Sequence, residues 1–143
     1  MTTSEIVDVL GGRTAGLRAV RTPEELKAWI REGLPFSSLE TVMERFSLNR
    51  DEVSSALDLP PRTLARRKQE RRLRPAESDR LFRLARLAAQ AVEVLGSEDK
   101  ASRWLHTPNR ALDGEAPLTL LDTDLGARQV EDLLGRIEHG VYS

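Results

Sequence analysis

"SSLETVMERFSLNRDEVSSALDLPPRTLARRKQ", residues Ser37–Gln69, holds three helical signatures in a row, and its reading decides the fold. Ser38 can cap a helix whose apolar face is Leu39, Val42, Met43 and Phe46. Asn49 can cap a second, short helix with Val53, Ala56 and Leu57 on one side. "DLPP", residues 58–61, makes a tight turn, and Pro61 suits the first position of a third helix because its missing N–H would be unpaired there anyway. Leu64 is the main apolar anchor of that helix, with Ala65 nearby. Two short helices joined by three or four residues, the second strongly basic, have helix-turn-helix proportions.

The segments on either side extend the helical pattern. "TTSEIVDVL" predicts a short first helix that ends at Gly11-Gly12, and "GGRTAGLRAV" reads as a loose connector. Thr22-Pro23 starts another helix, with Leu26, Trp29 and Ile30 on its apolar face, stopped by Gly33 and Pro35. Pro75 starts a longer one, in which Leu81, Leu84, Ala85, Ala88, Ala91, Val92 and Leu95 form a stripe at helical spacing. That stripe serves either as internal core or as a dimer seam. Gly96 closes the helix and Ser97 can cap "EDKASRWLH". Residues 107–123, rich in Pro, Gly, Asn and Asp, read as an ordered loop with apolar plugs. Thr123 can cap a last helix lined by Val130, Leu133, Leu134 and Ile137. The fold class is all-α, with about seven helices.

Charge is local. The 143-residue chain has a net charge of −1, yet residues 61–86 hold ten basic and three acidic side chains. Residues 87–143 reverse this, with five basic and ten acidic. A basic centre beside an acidic end suggests two partners. With Pro61 as the first helical residue, Arg62, Thr63 and Arg66 project where a recognition helix meets base edges. Arg can grip guanine bidentately, and Thr can touch a thymine methyl or a phosphate. Arg67, Lys68, Arg71, Arg72 and Arg74 are placed as phosphate contacts, which set affinity and register. The alternative is a solubilising face whose arginines pair with Glu70, Glu77 and Asp79.

Other chemistries find little support. There is no cysteine, so disulfides and thiolate metal sites are excluded, as suits a reducing cytosol. The histidines, His106 and His139, have no second ligand at metal spacing in the sequence. "GGRTAG" lacks the Gly-Lys-Ser/Thr of a phosphate loop, and no serine sits in a nucleophile elbow. No apolar run is long enough to span a membrane, and the N-terminus lacks a signal peptide's basic start. The expectation is a cytoplasmic binding protein, not an enzyme, with no catalytic or metal residues, no cofactor and no small-molecule substrate. Each Trp reads as a core anchor, although the turn-rich loop after Trp104 is a place where function can sit.

From Pro60-Pro61-Arg62-Thr63-Leu64 to the C-terminus, the chain resembles the Xre-like antitoxins that partner RES-domain toxins, the Xre/MbcA/ParS family. The resemblance covers roughly residues 37–143. Its most specific part is Trp104-Leu105, Pro108-Asn109, Ala111-Leu112, Gly114, Pro117-Leu118, Leu121-Asp122-Thr123, Gly126 and the closing "RIEHGVYS". It implies a type II antitoxin that binds a cognate NAD-consuming RES toxin, blocks its active site and represses its own operon as a homodimer on operator DNA. It also implies a C-terminal toxin-docking surface, for which Trp104, Asn109, Leu112, Arg136, Glu138, His139, Val141, Tyr142 and Ser143 are the candidates. Arg136 to Ser143 are expected at the mouth of the toxin's pocket, with Tyr142 as an aromatic anchor; the alternative is that "HGVYS" packs against its own domain.

The expected organisation is an N-terminal helical extension (1–36), a helix-turn-helix DNA-binding module (37–74), a long connecting helix (75–96) and a small helical toxin-binding domain (97–143). Two rival readings remain at this stage. One is a stand-alone helix-turn-helix regulator with an unrelated C-terminal sensing or interaction domain. The other is an interaction protein whose basic helix reads no DNA.

Overall fold

Eight α-helices form in a computed structural model that describes residues 2–17 and 19–140. They are α1 (Thr3–Val9), α2 (Pro23–Glu32), α3 (Phe36–Arg45), α4 (Arg50–Ala56), α5 (Pro61–Glu70), α6 (Pro75–Leu95), α7 (Glu98–His106) and α8 (Asp124–Glu138). Two 3-10 turns, Arg110–Leu112 and Pro117–Leu120, lie between α7 and α8. No strand forms among the described residues, only two isolated bridges, Pro35 with Arg72 and Asn109 with Glu115. The all-α expectation holds, with one helix more than the approximate count.

Local signals set most helix starts. Thr22, Asn49, Ser97 and Thr123 each accept a hydrogen bond from the backbone N–H three residues on, at 2.8 to 3.2 Å. Pro61 and Pro75 are the first residues of α5 and α6, as their fixed φ favours. One start differs. Ser38 was expected to cap α3, but that helix begins at Phe36, whose N–H donates to the carbonyl of Arg71 at 3.1 Å. A bond from a distant segment thus moves the N-cap from Ser38 to Pro35, three residues earlier. Ser38 is fully buried instead, and its hydroxyl has no partner among the described residues.

The connector after α1 also differs from expectation. Ala15, Leu17 and Val20 are buried, and the Leu17 N–H donates to the Gly12 carbonyl at 2.8 Å. Residues 11–17 are a packed turn, not a loose linker.

A single hydrophobic cluster runs from Ile6 to Leu134. Its spine is α6, which packs against α1, α2, α7 and α8. Leu81, Leu84, Leu87, Ala85, Ala88 and Ala91 are buried along it. The stripe read from the sequence is therefore internal core from Leu81 to Ala91, with Val92 and Leu95 half-buried against it. Burial of this apolar surface is the main force holding the helices together.

Polar contacts join segments distant in the sequence. Arg45 at the end of α3 reaches Glu98 at 2.8 Å and Asp8 at 3.2 Å. Ser102 donates to the Phe46 carbonyl at 2.8 Å, and Arg83 to the Leu121 carbonyl at 2.9 Å. His106 lies 3.3 Å from Glu52 of α4, a neighbour that sequence spacing does not reveal.

Candidate functional site

The helix-turn-helix is built from α4, the four-residue turn 57–60 and α5. Leu57 and Leu59 are buried, and Asp58 between them takes a left-handed conformation with φ of 50°. The Leu59 N–H donates to the Ser54 carbonyl at 2.9 Å, and the Ser54 hydroxyl donates to the Leu59 carbonyl. The turn is thus closed from both sides, which sets the angle between the two helices.

On α5, Leu64 and Arg67 are the buried residues. Arg62, Arg66, Lys68, Arg71 and Arg72 are exposed, and Thr63 is half-buried. Arg62 and Arg66 stand one turn apart on one face, with Thr63 beside them at i, i+3 from Arg66. The helix and its exit thus carry a group of cations able to meet bases and phosphates. Ala65 is exposed, so it does not join Leu64 as an anchor.

Arg67 is the correction within this set. It was expected to contact phosphate, but only 8% of its surface is exposed. Its Nε donates to Glu77 at 2.8 and 3.1 Å, and its Nη1 to Glu70 at 3.2 Å. The hydrogen bond that Arg67 donates to Glu77, against the opposing cost of burial, lifts the guanidinium above its already high ordinary value. Arg67 lies three positions after Leu64, which places it on the core-facing side. That spacing is readable in the sequence, and for this one arginine the alternative reading, pairing with Glu70 and Glu77, is the one that holds.

The exit of α5 is held in place. Arg71 is left-handed, with φ of 63°. Arg72 bridges to Pro35, and the Leu73 N–H donates to the Leu34 carbonyl at 2.9 Å. Gly33 permits this close approach, because a Cβ there would lie 2.1 Å from the Leu73 carbonyl oxygen.

The C-terminal candidates divide into support and surface. Asn109 is half-buried; its side chain accepts from the Ala111 N–H at 2.9 Å, and its backbone N–H donates to the Glu115 carbonyl at 3.0 Å. Leu112 is buried, and Trp104 is half-buried against the core. Asn109 thus closes the loop's turn, while Trp104 and Leu112 pack against the core. Arg136, Glu138 and His139 are exposed at the end of α8, while Val141, Tyr142 and Ser143 lie outside the described residues. Leu112 and Arg136 line one depression of about 230 Å³ with Leu120, Gln129 and Asp132. Leu125, in the first turn of α8, is 71% exposed and was not singled out by the sequence reading.

Gly126 fixes how α8 meets the loop. A Cβ there would lie 2.0 Å from the Leu120 carbonyl oxygen, so only glycine allows the approach without movement. Among the described residues, no helix is long and apolar enough to cross a membrane.

These features define a helix-turn-helix protein with a second helical module packed onto the same core. Residues 25–86 match the antitoxin Xre-like helix-turn-helix domain, and residues 90–140 match the antitoxin Xre/MbcA/ParS C-terminal toxin-binding domain. The chain is 36% identical to an antitoxin Xre of Yersinia enterocolitica, over 80% of this chain and 78% of that one. It is 37% identical to an antitoxin Xre of Pseudomonas putida, over 81% and 72%. It is 32% identical to the mycobacterial cidal antitoxin MbcA of Mycobacterium tuberculosis, over 74% and 93%. The chain belongs to the Xre/MbcA/ParS antitoxin family. It is an antitoxin of a toxin–antitoxin system, with a helix-turn-helix for DNA and a C-terminal domain for the toxin.

Proposed function

We propose that the protein neutralises an NAD-consuming RES-domain toxin by covering its active site, and represses its own operon as a homodimer. The observation that carries the reading is the match of residues 90–140 to a toxin-binding domain in a part of the chain with excess negative charge. A pocket that accepts an anionic dinucleotide needs cationic groups, and an acidic partner complements them. Asn109 closes the loop's turn, while Trp104 and Leu112 pack against the core. Arg136, Glu138 and His139, followed in sequence by Val141, Tyr142 and Ser143, approach the mouth of the toxin pocket.

On DNA, Arg62, Thr63 and Arg66 read bases, while Lys68, Arg71 and Arg72 hold phosphates. A two-fold dimer places two such helices in successive major grooves, roughly 34 Å apart. Residues 1–36 and 75–96 supply the frame on which both surfaces sit.

Deletion of residues 140–143, followed by titration against the neighbouring toxin with NAD consumption as the readout, tests the toxin arm. Inhibition is expected to weaken strongly. Full inhibition by the shortened chain means that the tail does not cover the pocket.

A further inference from the structure

We propose that Glu77, acting through Arg67, is the positioning residue of the recognition helix. The inference rests on the DNA-binding reading above and adds how the reading helix is aimed. Helix α5 is otherwise poorly anchored: of its ten residues, Leu64 and Arg67 are buried. An apolar contact at Leu64 holds the helix down but has little directionality. A guanidinium–carboxylate contact is directional and fixes orientation. Leu64 and Arg67 lie about one turn apart, so together they set both the position and the roll of α5.

Glu77 can do this because its own place is fixed. It sits in the first turn of α6 and is 7% exposed. The oxygen that accepts Arg67 Nε at 2.8 Å also accepts the Arg74 N–H at 2.8 Å. One carboxylate therefore joins α5, the segment leaving it and the start of α6. That start is pinned again by Ser78, whose hydroxyl accepts the Leu34 N–H at 2.7 Å, while the Phe36 N–H donates to the Arg71 carbonyl. The frame is rigid at the point where α5 needs a reference. A buried ion pair contributes little net stability relative to an apolar pair of similar volume. Geometry is what this one supplies: it rolls Arg62 and Arg66 toward the groove.

The test uses the full chain and a labelled duplex of the DNA immediately upstream of its own reading frame, titrated at several salt concentrations. Glu77→Gln is expected to weaken binding by roughly tenfold, about the loss of one well-aligned base contact. Its slope of log affinity against log salt is expected not to fall. Arg67→Met combined with Glu77→Leu replaces the pair by apolar groups and guards against a misfolded single variant. Here the melting temperature is expected to fall by only a few degrees, since the Arg74 N–H loses its acceptor, with the chain still folded, binding weakened and the salt slope at the parent value. Parent-like affinity in the folded double variant overturns the proposal, since the pair would then be structural only. A slope lower by about one also overturns it, because Arg67 would then be a phosphate contact. Failure of the parent protein to bind the duplex at any salt brings down the DNA-binding reading itself, a result distinct from either of these.

Discussion

Helices α5 and α8 are both amphipathic, but they are attached in opposite ways. The last helix buries Gly126, Ala127, Val130, Leu133 and Leu134. The recognition helix buries one leucine and one arginine. One is held by apolar area, the other by a turn, a left-handed exit and a buried ion pair. The difference fits the roles proposed for the two helices. A helix that enters a DNA groove keeps most of its circumference polar and cationic, so little of it is left to bury. A helix that supports a protein-binding surface can give one whole face to the core.

The sharpest way to break this comparison is at Leu134, fully buried on α8. Leu134→Ala is expected to lower unfolding stability by about 2–5 kcal/mol, through lost apolar transfer and a residual cavity. Urea denaturation measures it, and a cost well under that range would mean that α8 is not held by its core face. A smaller effect is expected from Thr123→Ala, which removes the oxygen that accepts the Gly126 N–H at 2.9 Å. The loss is about 1 kcal/mol, visible as a lower urea midpoint with an unchanged denaturant slope. The smallest effects on stability belong to the exposed cations of the DNA arm. Arg62→Ala with Arg66→Ala is expected to leave the urea midpoint unchanged and toxin inhibition intact. Its consequence is loss of preference for the operator over unrelated DNA. By contrast, Arg72→Ala is expected to weaken both duplexes alike and to reduce the salt slope by about one. If operator binding and toxin inhibition fell together in the Arg62/Arg66 variant, the two surfaces would not be separable.

Some of the site was open to reading and some was not. Arg62, Thr63, Arg66, Arg71 and Arg72 follow from a helix start set by Pro61, and the structure leaves the four arginines exposed. Arg67 shares their chemistry and their neighbourhood, yet it turns inward because Glu77 waits ten positions later on another helix. The C-terminal loop was recognisable from its spaced residues. What those residues do in the fold emerged only with the packing: Asn109 closes a turn, and Gly126 admits the Leu120 carbonyl. Leu125 lies off the helical face of Val130, Leu133, Leu134 and Ile137, and the structure leaves it exposed.

By itself, the amino-acid sequence determined the helical class, most helix starts, the division of charge and the family. Those features rest on interactions completed within about one turn, such as a Thr or Asn oxygen meeting an N–H three residues on, or on a run of residue types at fixed spacing. The tertiary structure decided the rest. It brought α3 forward to Phe36, turned residues 11–17 into packed chain, set His106 against Glu52 and committed Arg67 to the interior. Each of these depends on a partner from a distant segment, and only the packing of helices around α6 brings such partners within hydrogen-bonding reach.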